Sequence, residues 1–408
     1  MVYIFVIVIL LFLMYHYDYR GHSRGRKAWY IFIVVYLMLL AGLRYRIGGD
    51  TINYATNHYT IFPDLYEYWQ YDFTNASYNR GYLFLNAIAL TISHNFVAMQ
   101  IILAIFVNGV IFRFFYKNTS KIFSAVLFYF LLSYLGLNME VLRESCAVAM
   151  FLLGWEYFWK EKWIKYYLCC IIAVSFHSGA LFTFILPLFT LKCLKKAFTP
   201  SWLSLGIAIG LFILGAVVMS KFFDVVRLIG LATLDDYAST YENSKFGEAR
   251  DFNIFGILVF LLKTLSLPFL LGLIVSKKMV IENDWRSKNN QYQNALMVMF
   301  ITSIYISCIS NYVIILGRFS SYLSFFLILI YTETIFHKIR FRNRVYRLSY
   351  IIWMGIVFPT LFFPVYGLFQ DTGLSGSAPI HKYYPYYSVI DPQLDREREL
   401  VIKYTYGF

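Results

Sequence analysis

Long apolar runs alternate with short charged breaks along almost the whole chain. The first run is MVYIFVIVILLFLMYHY. An α-helix rises about 1.5 Å per residue and needs about 20 apolar residues to cross a bilayer. Read in those units, further spans fall near residues 28–43, 81–94, 97–113, 122–137, 144–159, 166–191, 201–223, 254–275, 294–316, 319–336 and 348–368. The pattern predicts an all-α integral membrane protein, a polytopic bundle of about 12 transmembrane helices. No repeat of 20 to 50 residues and no long low-complexity linker interrupts it, so residues 1–408 are expected to form a single polytopic membrane domain.

The charged breaks orient the spans. Arg20, Arg24, Arg26 and Lys27 follow the first run, and nothing basic precedes it. Basic loops stay in the cytoplasm, which places this loop inside and Met1 outside. HKIRFRNRVYR, residues 337–347, is the clearest cytoplasmic loop, with five Lys/Arg and no acid, and residues 192–196 and 277–288 fit the same side. Loops 44–80 and 224–253 and the tail 369–408 are then expected to face outward. Between 81 and 191 two paths fit the sequence. Simple alternation puts 113–121 and 160–165 outside and Asn138–Arg143 inside. The other path hinges 166–191 at FHSGA, brings His177 and Arg143 to the outer face, and requires a re-entrant course between 81 and 112.

Composition removes the main rivals to this class. With 59% hydrophobic, 21% aromatic and 14% charged residues and a mean hydropathy of +0.58, a soluble globular fold is excluded. The net charge of +13 is spread in short clusters between apolar runs, a membrane pattern, so no nucleic-acid partner is expected. The first run has neither a basic leader nor a small-x-small cleavage site, and reads as a span rather than a signal peptide. Cys146, Cys169, Cys170, Cys193 and Cys308 lie in or beside apolar runs without metal-ligand spacing, so no metal and no cofactor is expected.

Four polar groups stand out. In GLRYRIGGDTINY, Arg44 and Arg46 offer forked donors, and Gly48 and Gly49 permit a turn whose N–H groups are free to meet an anion. Asp50 suits either orienting an arginine or accepting a proton from a hydroxyl. In NMEVLRES, Glu140 and Arg143 share a helical face at i, i+3, and the bland alternative to a site is an ion pair between them. In SFHSGALF, His177 stands in an otherwise apolar or small run, where its imidazole needs a partner from protein or substrate. In GRFSSYL, Arg318 and Tyr322 share a face at i, i+4. For the arginines the alternative is snorkelling.

Taken in order, RYRIGGDTINY, NMEVLRES, FHSGAL, GRFSSYL and the late YYPYYSVIDP resemble the EpsG family of bacterial polysaccharide polymerases, which are Wzy-like and multi-spanning. The resemblance runs from about residue 28 to the C-terminus. The family's Arg-Tyr-x-x-Gly-x-Asp pattern is matched by Arg44, Tyr45, Gly48 and Asp50, with Tyr54 following. Its Arg-Gln is Arg143-Glu144 here. The resemblance implies a glycosyltransferase of the bacterial inner membrane that joins undecaprenyl-diphosphate-linked oligosaccharide repeat units at the periplasmic face, making a capsule, exopolysaccharide or O-antigen. It needs no metal, since fixed cations can meet a leaving diphosphate. Arg44, Arg143 and Arg318 are the expected diphosphate ligands and His177 or Asp50 the catalytic base, with Arg46, Gly48, Gly49, Tyr54, Glu144 and Tyr322 in support. Tyr66, Tyr68 and Trp69 are candidates to stack on sugar rings. The lipid bilayer, a chain-length regulator and a flippase are the implied partners. Two rival readings are a flippase for the same lipid-linked sugars, which is expected to show two related halves, and a multi-spanning acyltransferase using His177, which leaves RYRIGGD unexplained.

Overall fold

The computed structural model describes residues 2–74, 78–218, 289–310, 316–335, 355, 369 and 379–406. The expected spans at 254–275 and 348–368, the outward loop 224–253 and the basic loop 337–347 lie outside the described residues, apart from position 355. The described residues are helical, with isolated bridges and no strand. The membrane class is therefore as expected. Four described helical segments, Val2–Tyr19, Phe96–Asn118, Ile122–Met139 and Asn290–Ser310, are long and apolar enough to cross a bilayer, which does not establish the count of twelve.

The chain divides into two compact units, Met1–Glu156 with Ile164–Leu181 and Phe358–Phe408, and Tyr157–Trp163 with Phe182–Val357. In the first, α1 (Val2–Leu13, continued by a wider turn to Tyr19), α2 (Arg26–Gly42), α3 (Thr51–Thr60), the single turn α4 (Leu65–Tyr68), α5 (Arg80–Ile92) and α6 (Phe96–Asn118) are followed by α7 (Ile122–Tyr129). α7 runs through another widened turn into α8 (Leu135–Met139), then α9 (Leu142–Trp159) and α10 (Trp163–Phe176).

Cross-links fix the direction of each helix. At one end, the buried Asp18 carboxylate accepts from the Ser124 N–H (2.7 Å) and hydroxyl (2.8 Å) and pairs with Arg26 at 3.4 Å. Lys121 donates to the Asp18 carbonyl at 2.5 Å, and the Trp155 indole donates to Asn118 at 3.0 Å. This end gathers Arg20, Arg24, Arg26, Lys27, Lys117 and Lys121. At the opposite end, Gly42 of α2 packs on Ile101 and Ala104 of α6, and Gln100 donates to the Arg44 carbonyl at 3.1 Å. Polar pairs tie the middle, with Asn108 donating to Asn138 at 2.6 Å and Asn138 to the Tyr129 hydroxyl at 2.8 Å. In an apolar bundle such paired amides hold neighbouring helices in register.

Those links choose between the two paths. Residue 120 lies beside Arg26, whose guanidinium donates to the Ser120 carbonyl, so 113–121 shares the basic end. Simple alternation, which separates them, is corrected. The reason is α5: its start packs on the last turn of α10, where a Cβ on Gly81 would lie 2.4 Å from the Ser175 hydroxyl. Beyond its other end, Asn95 and Phe96 meet the Tyr59 hydroxyl of α3. α5 has 13 residues, about 20 Å, and returns to the end it left, so residues 81–94 do not cross. The apolar run 166–191 breaks at His177, as the hinged path requires, into α10 and a 3-10 segment, Ser178–Thr190.

In the second unit, α11 (Trp202–Val218) packs on α12 (Asn290–Ser310), and α12 on α13 (Gly317–Ile335). Phe182 stacks on Phe319 at 4.7 Å and meets the Tyr322 ring edge-on at 5.1 Å.

Candidate active site

α2 stops at Gly42, and the next eight residues turn back over its end. The Arg44 side chain drives this turn. Its guanidinium donates to the carbonyls of Ala41, one of the carbonyls left open at the helix terminus, and Ile47 (3.3 Å). Arg44 is 1% exposed, and its third nitrogen, Nη2, has no hydrogen-bond partner among the described residues. Burial pulls its pKa down to about 10, so it stays charged at neutral pH.

The turn is closed from outside by the C-terminal tail. Tyr45 N–H donates to the Tyr387 carbonyl (2.9 Å) and Val389 N–H to the Leu43 carbonyl (2.8 Å), so YYPYYSV lies antiparallel to RYR. A short 3-10 turn, Pro379–Lys382, and helix α14 (Arg396–Tyr406) complete the tail. Arg398 of α14 is buried, donates to the carbonyls of His381 (3.2 Å) and Pro385, and lies over the Tyr387 ring. Arg46 is held by Glu399 at 2.7 Å, so it anchors the tail instead of standing free for an anion. A cleft of about 620 Å³ opens between α3 and α14, with Arg46, Asn53, Thr56, Arg396, Glu399 and Leu400 in its walls.

The glycine turn also departs from expectation. Gly48 N–H donates to the Lys382 carbonyl (3.1 Å) and Gly49 N–H to the Glu140 carboxylate (3.4 Å), so neither is a free donor for an anion. The glycines serve a close approach. Gly48 has φ +98°, and a Cβ there would sit 1.8 Å from the Met139 carbonyl oxygen. The Thr51 hydroxyl donates to the same oxygen at 2.8 Å.

This contact brings the second motif to the first. Glu140 pairs with Lys382 at 3.6 Å as well as with Gly49, and the alternative raised by the sequence, a Glu140–Arg143 ion pair, is absent among the described residues. Arg143 instead donates from Nε to the Tyr54 hydroxyl (3.2 Å) and lies over the Tyr78 ring at 4.9 Å. Among the described residues its guanidinium is thus held by a phenol and a ring face, with no carboxylate partner. Tyr54 is buried in a cluster with Tyr78 and Tyr82, and the Tyr82 ring lies within electrostatic reach of both Arg44 and Arg143. Asp50 stands at the start of α3, close enough to Tyr54 to act on its hydroxyl electrostatically, and Glu144 is buried in the first turn of α9.

His177 ends α10 at this same end of the unit, two residues past the Ser175–Gly81 contact. Its Nδ1 accepts from the Gly179 N–H at 3.2 Å, which assigns the neutral ring's proton to Nε2. A Cβ on Gly179 would lie 2.8 Å from that ring, so glycine is what permits the fold-back. Arg318 and Tyr322 belong to the second unit, on the first turns of α13, where Tyr322 is buried. Among the described residues no group of three His, Cys, Asp or Glu has the geometry to hold a metal. The sequence reading missed Lys382, Glu399 and Arg398, because nothing local announces that a tail more than 300 positions away packs on residues 43–48, and it missed Tyr78 because one tyrosine among 36 carries no local signal.

A family model described as EpsG family matches residues 27–388. The chain belongs to the EpsG family. The match takes in all four polar motifs and reaches Ser388, the tail residue bridged to Arg44, so it covers both sides of the closed turn. As an EpsG-family protein with apolar spanning helices, the chain is a membrane protein. No curated protein and no solved structure matches it.

Proposed function

We propose that this EpsG-family protein is a metal-independent polymerase joining undecaprenyl-diphosphate-linked oligosaccharide units into a surface polysaccharide. Its motif end faces the periplasm and its basic end the cytoplasm of a bacterial inner membrane. One observation carries the reading: Arg44, buried, and Arg143, part-buried, lie at the same end of the bundle, and neither is neutralised by a carboxylate among the described residues. A buried uncompensated charge costs several kcal/mol unless a counter-charge arrives, and a lipid-borne diphosphate is such a counter-charge.

In the proposed reaction an acceptor sugar hydroxyl attacks the anomeric carbon of the growing chain. The C–O bond to the diphosphate breaks with its electron pair, and the hydroxyl proton passes to a base. Arg143, presented by Tyr54 and Tyr78, meets the departing diphosphate. Arg44 adds positive potential behind it. A fixed donor aimed at developing charge contributes roughly 3 kcal/mol to the barrier reduction. His177 and Asp50, both at this end of the unit, are the proposed candidates for the base. A chain-length regulator and a flippase are the proposed protein partners.

Deleting the gene in its host and resolving the surface polysaccharide on a gel tests this. Polymer is expected to vanish while single repeat units build up on lipid. Accumulation of lipid-linked units on the cytoplasmic side would instead make the protein a transporter.

A further inference from the structure

A second concavity lies away from the arginines, beyond the far end of α3. It has a volume of about 600 Å³ and is lined by Asp64, Tyr66, Trp69, Leu90, Thr91 and His94 among others, with no Lys or Arg among the described residues of its wall. Trp69 is 75% and Tyr66 76% exposed. The platform that carries them is nonetheless fixed. A capping box closes α4, with Glu67 N–H donating to Asp64 at 2.8 Å and Asp64 N–H to Glu67 at 3.3 Å. The Tyr68 hydroxyl donates to the Arg80 carbonyl at 3.3 Å, tying α4 to α5. The Trp69 ring packs edge-on against Tyr68 at 5.4 Å and beside Phe84 at 6.4 Å. Its flanks are held, and the residue is left open to solvent.

We propose that this groove binds the saccharide of the substrate, holding sugar rings against Trp69 and Tyr66 while Asp64, Thr91 and His94 bond their hydroxyls. Resting on the polymerase reading, the proposal deepens it by separating two tasks: the arginines take the diphosphate, and the groove takes neutral sugar. The chemistry fits that class. Aromatic faces attract the weakly positive C–H faces of pyranose rings, a wall without cations does not select an anion, and carboxylate, hydroxyl and imidazole match a polyol. The groove lies near Tyr59 and Asn95, whereas Arg143 contacts Tyr54, and α3, about 15 Å long, separates the two by less than its own length, within reach of one oligosaccharide.

The test uses the purified full-length protein in nanodiscs and oligosaccharides of one to three repeat units, released by partial acid hydrolysis of the host's own surface polysaccharide. Binding is read by saturation-transfer NMR and titration. Trp69→Ala and Tyr66→Ala are each expected to weaken binding about tenfold or more, with Trp69→Phe intermediate. Trp202→Ala, which removes an equally exposed tryptophan in the second unit (79% exposed), is expected to leave it unchanged. Equal thermal stability of the variants shows that they fold. Unchanged affinity in folded Trp69→Ala and Tyr66→Ala overturns the proposal, as does a loss of stability confined to lipid, which would make these rings an interfacial anchor. If the wild type binds no fragment although the gene deletion abolishes the polymer, the groove proposal fails alone. If the deletion leaves the polymer intact, the polymerase reading fails with it.

Discussion

Gly48 approaches Met139 so closely that a side chain at 48 would overlap the Met139 carbonyl, its Cβ 1.8 Å from the oxygen. The contact joins the turn after α2 to the junction of α8 and α9, and so brings Tyr54 of α3 to Arg143. Both partners are backbone, which cannot move aside as a flexible side chain can, and φ +98° at Gly48 already disfavours any other residue. Gly48→Ala is expected to lower stability by about 3 kcal/mol or more and to abolish polymer. Gly136→Ala, where nothing lies within 4 Å of the new Cβ, is expected to be neutral or slightly stabilising. Thermal unfolding of the two purified variants checks the contrast.

Arg143 is positioned by neutral groups, which sets what its replacement does. Arg143→Lys keeps the charge but loses the planar fork and the Nε–H bond to Tyr54, and is expected to cut polymer synthesis about 100-fold at equal protein level. Tyr54→Phe removes only the accepting hydroxyl and is expected to cost about tenfold. Near wild-type polymer from Arg143→Lys would count against a diphosphate ligand at this position.

Glu140 and Lys382 form a half-buried pair, 3.6 Å apart, that fastens the tail to the α8–α9 junction. Glu140→Gln and Lys382→Met are each expected to destabilise. The double variant is expected to fall short of their sum by about 1 kcal/mol, since the second change removes a partner already lost. Additive losses in a denaturation cycle would show that the two do not interact.

His58 is buried in α3. Asn86 donates through its amide to the Tyr82 carbonyl, so its oxygen faces His58 Nδ1 (3.1 Å) and the imidazole proton sits there. Nε2 has no hydrogen-bond partner among the described residues, and charging the ring would bury an N–H with no acceptor. Burial, with His94 adding to it and the Asn86 bond opposing, lowers the His58 pKa from its ordinary 6.5. The unfolded chain then takes up the proton first. The contribution of His58 to stability is complete above pH 6.5 and declines as pH falls below it, until the folded-state pKa is passed. The apparent Tm is expected to drop on the acid side of 6.5 in the wild type and to drop less in His58→Asn.

Orientation is open to labelling. With the motif end outside, Tyr66→Cys is expected to react with an impermeant thiol reagent in intact spheroplasts, and Ser120→Cys only after permeabilisation. Labelling of Ser120→Cys in intact cells would invert the bundle.

The sequence by itself determined the membrane class, the family and the motif positions, because apolar length and loop charge are local quantities; the break at FHSGA it offered only as one of two paths. It also named Arg44, Asp50, Arg143 and His177, since charges beside or within apolar spans stand out wherever they fall. Tertiary structure alone decided that residues 81–94 turn back rather than cross, because a 13-residue apolar helix can span or return, and the Gly81–Ser175 contact makes it return. It also reassigned partners: Glu140 went to Lys382 rather than to its i, i+3 neighbour, Arg46 to Glu399, and the glycine N–H groups to protein acceptors. All but the Gly49–Glu140 bond need a tail that lies hundreds of positions away in sequence yet adjacent in space. Its adjacency follows from where the helices deliver the chain, which no short stretch of residues encodes.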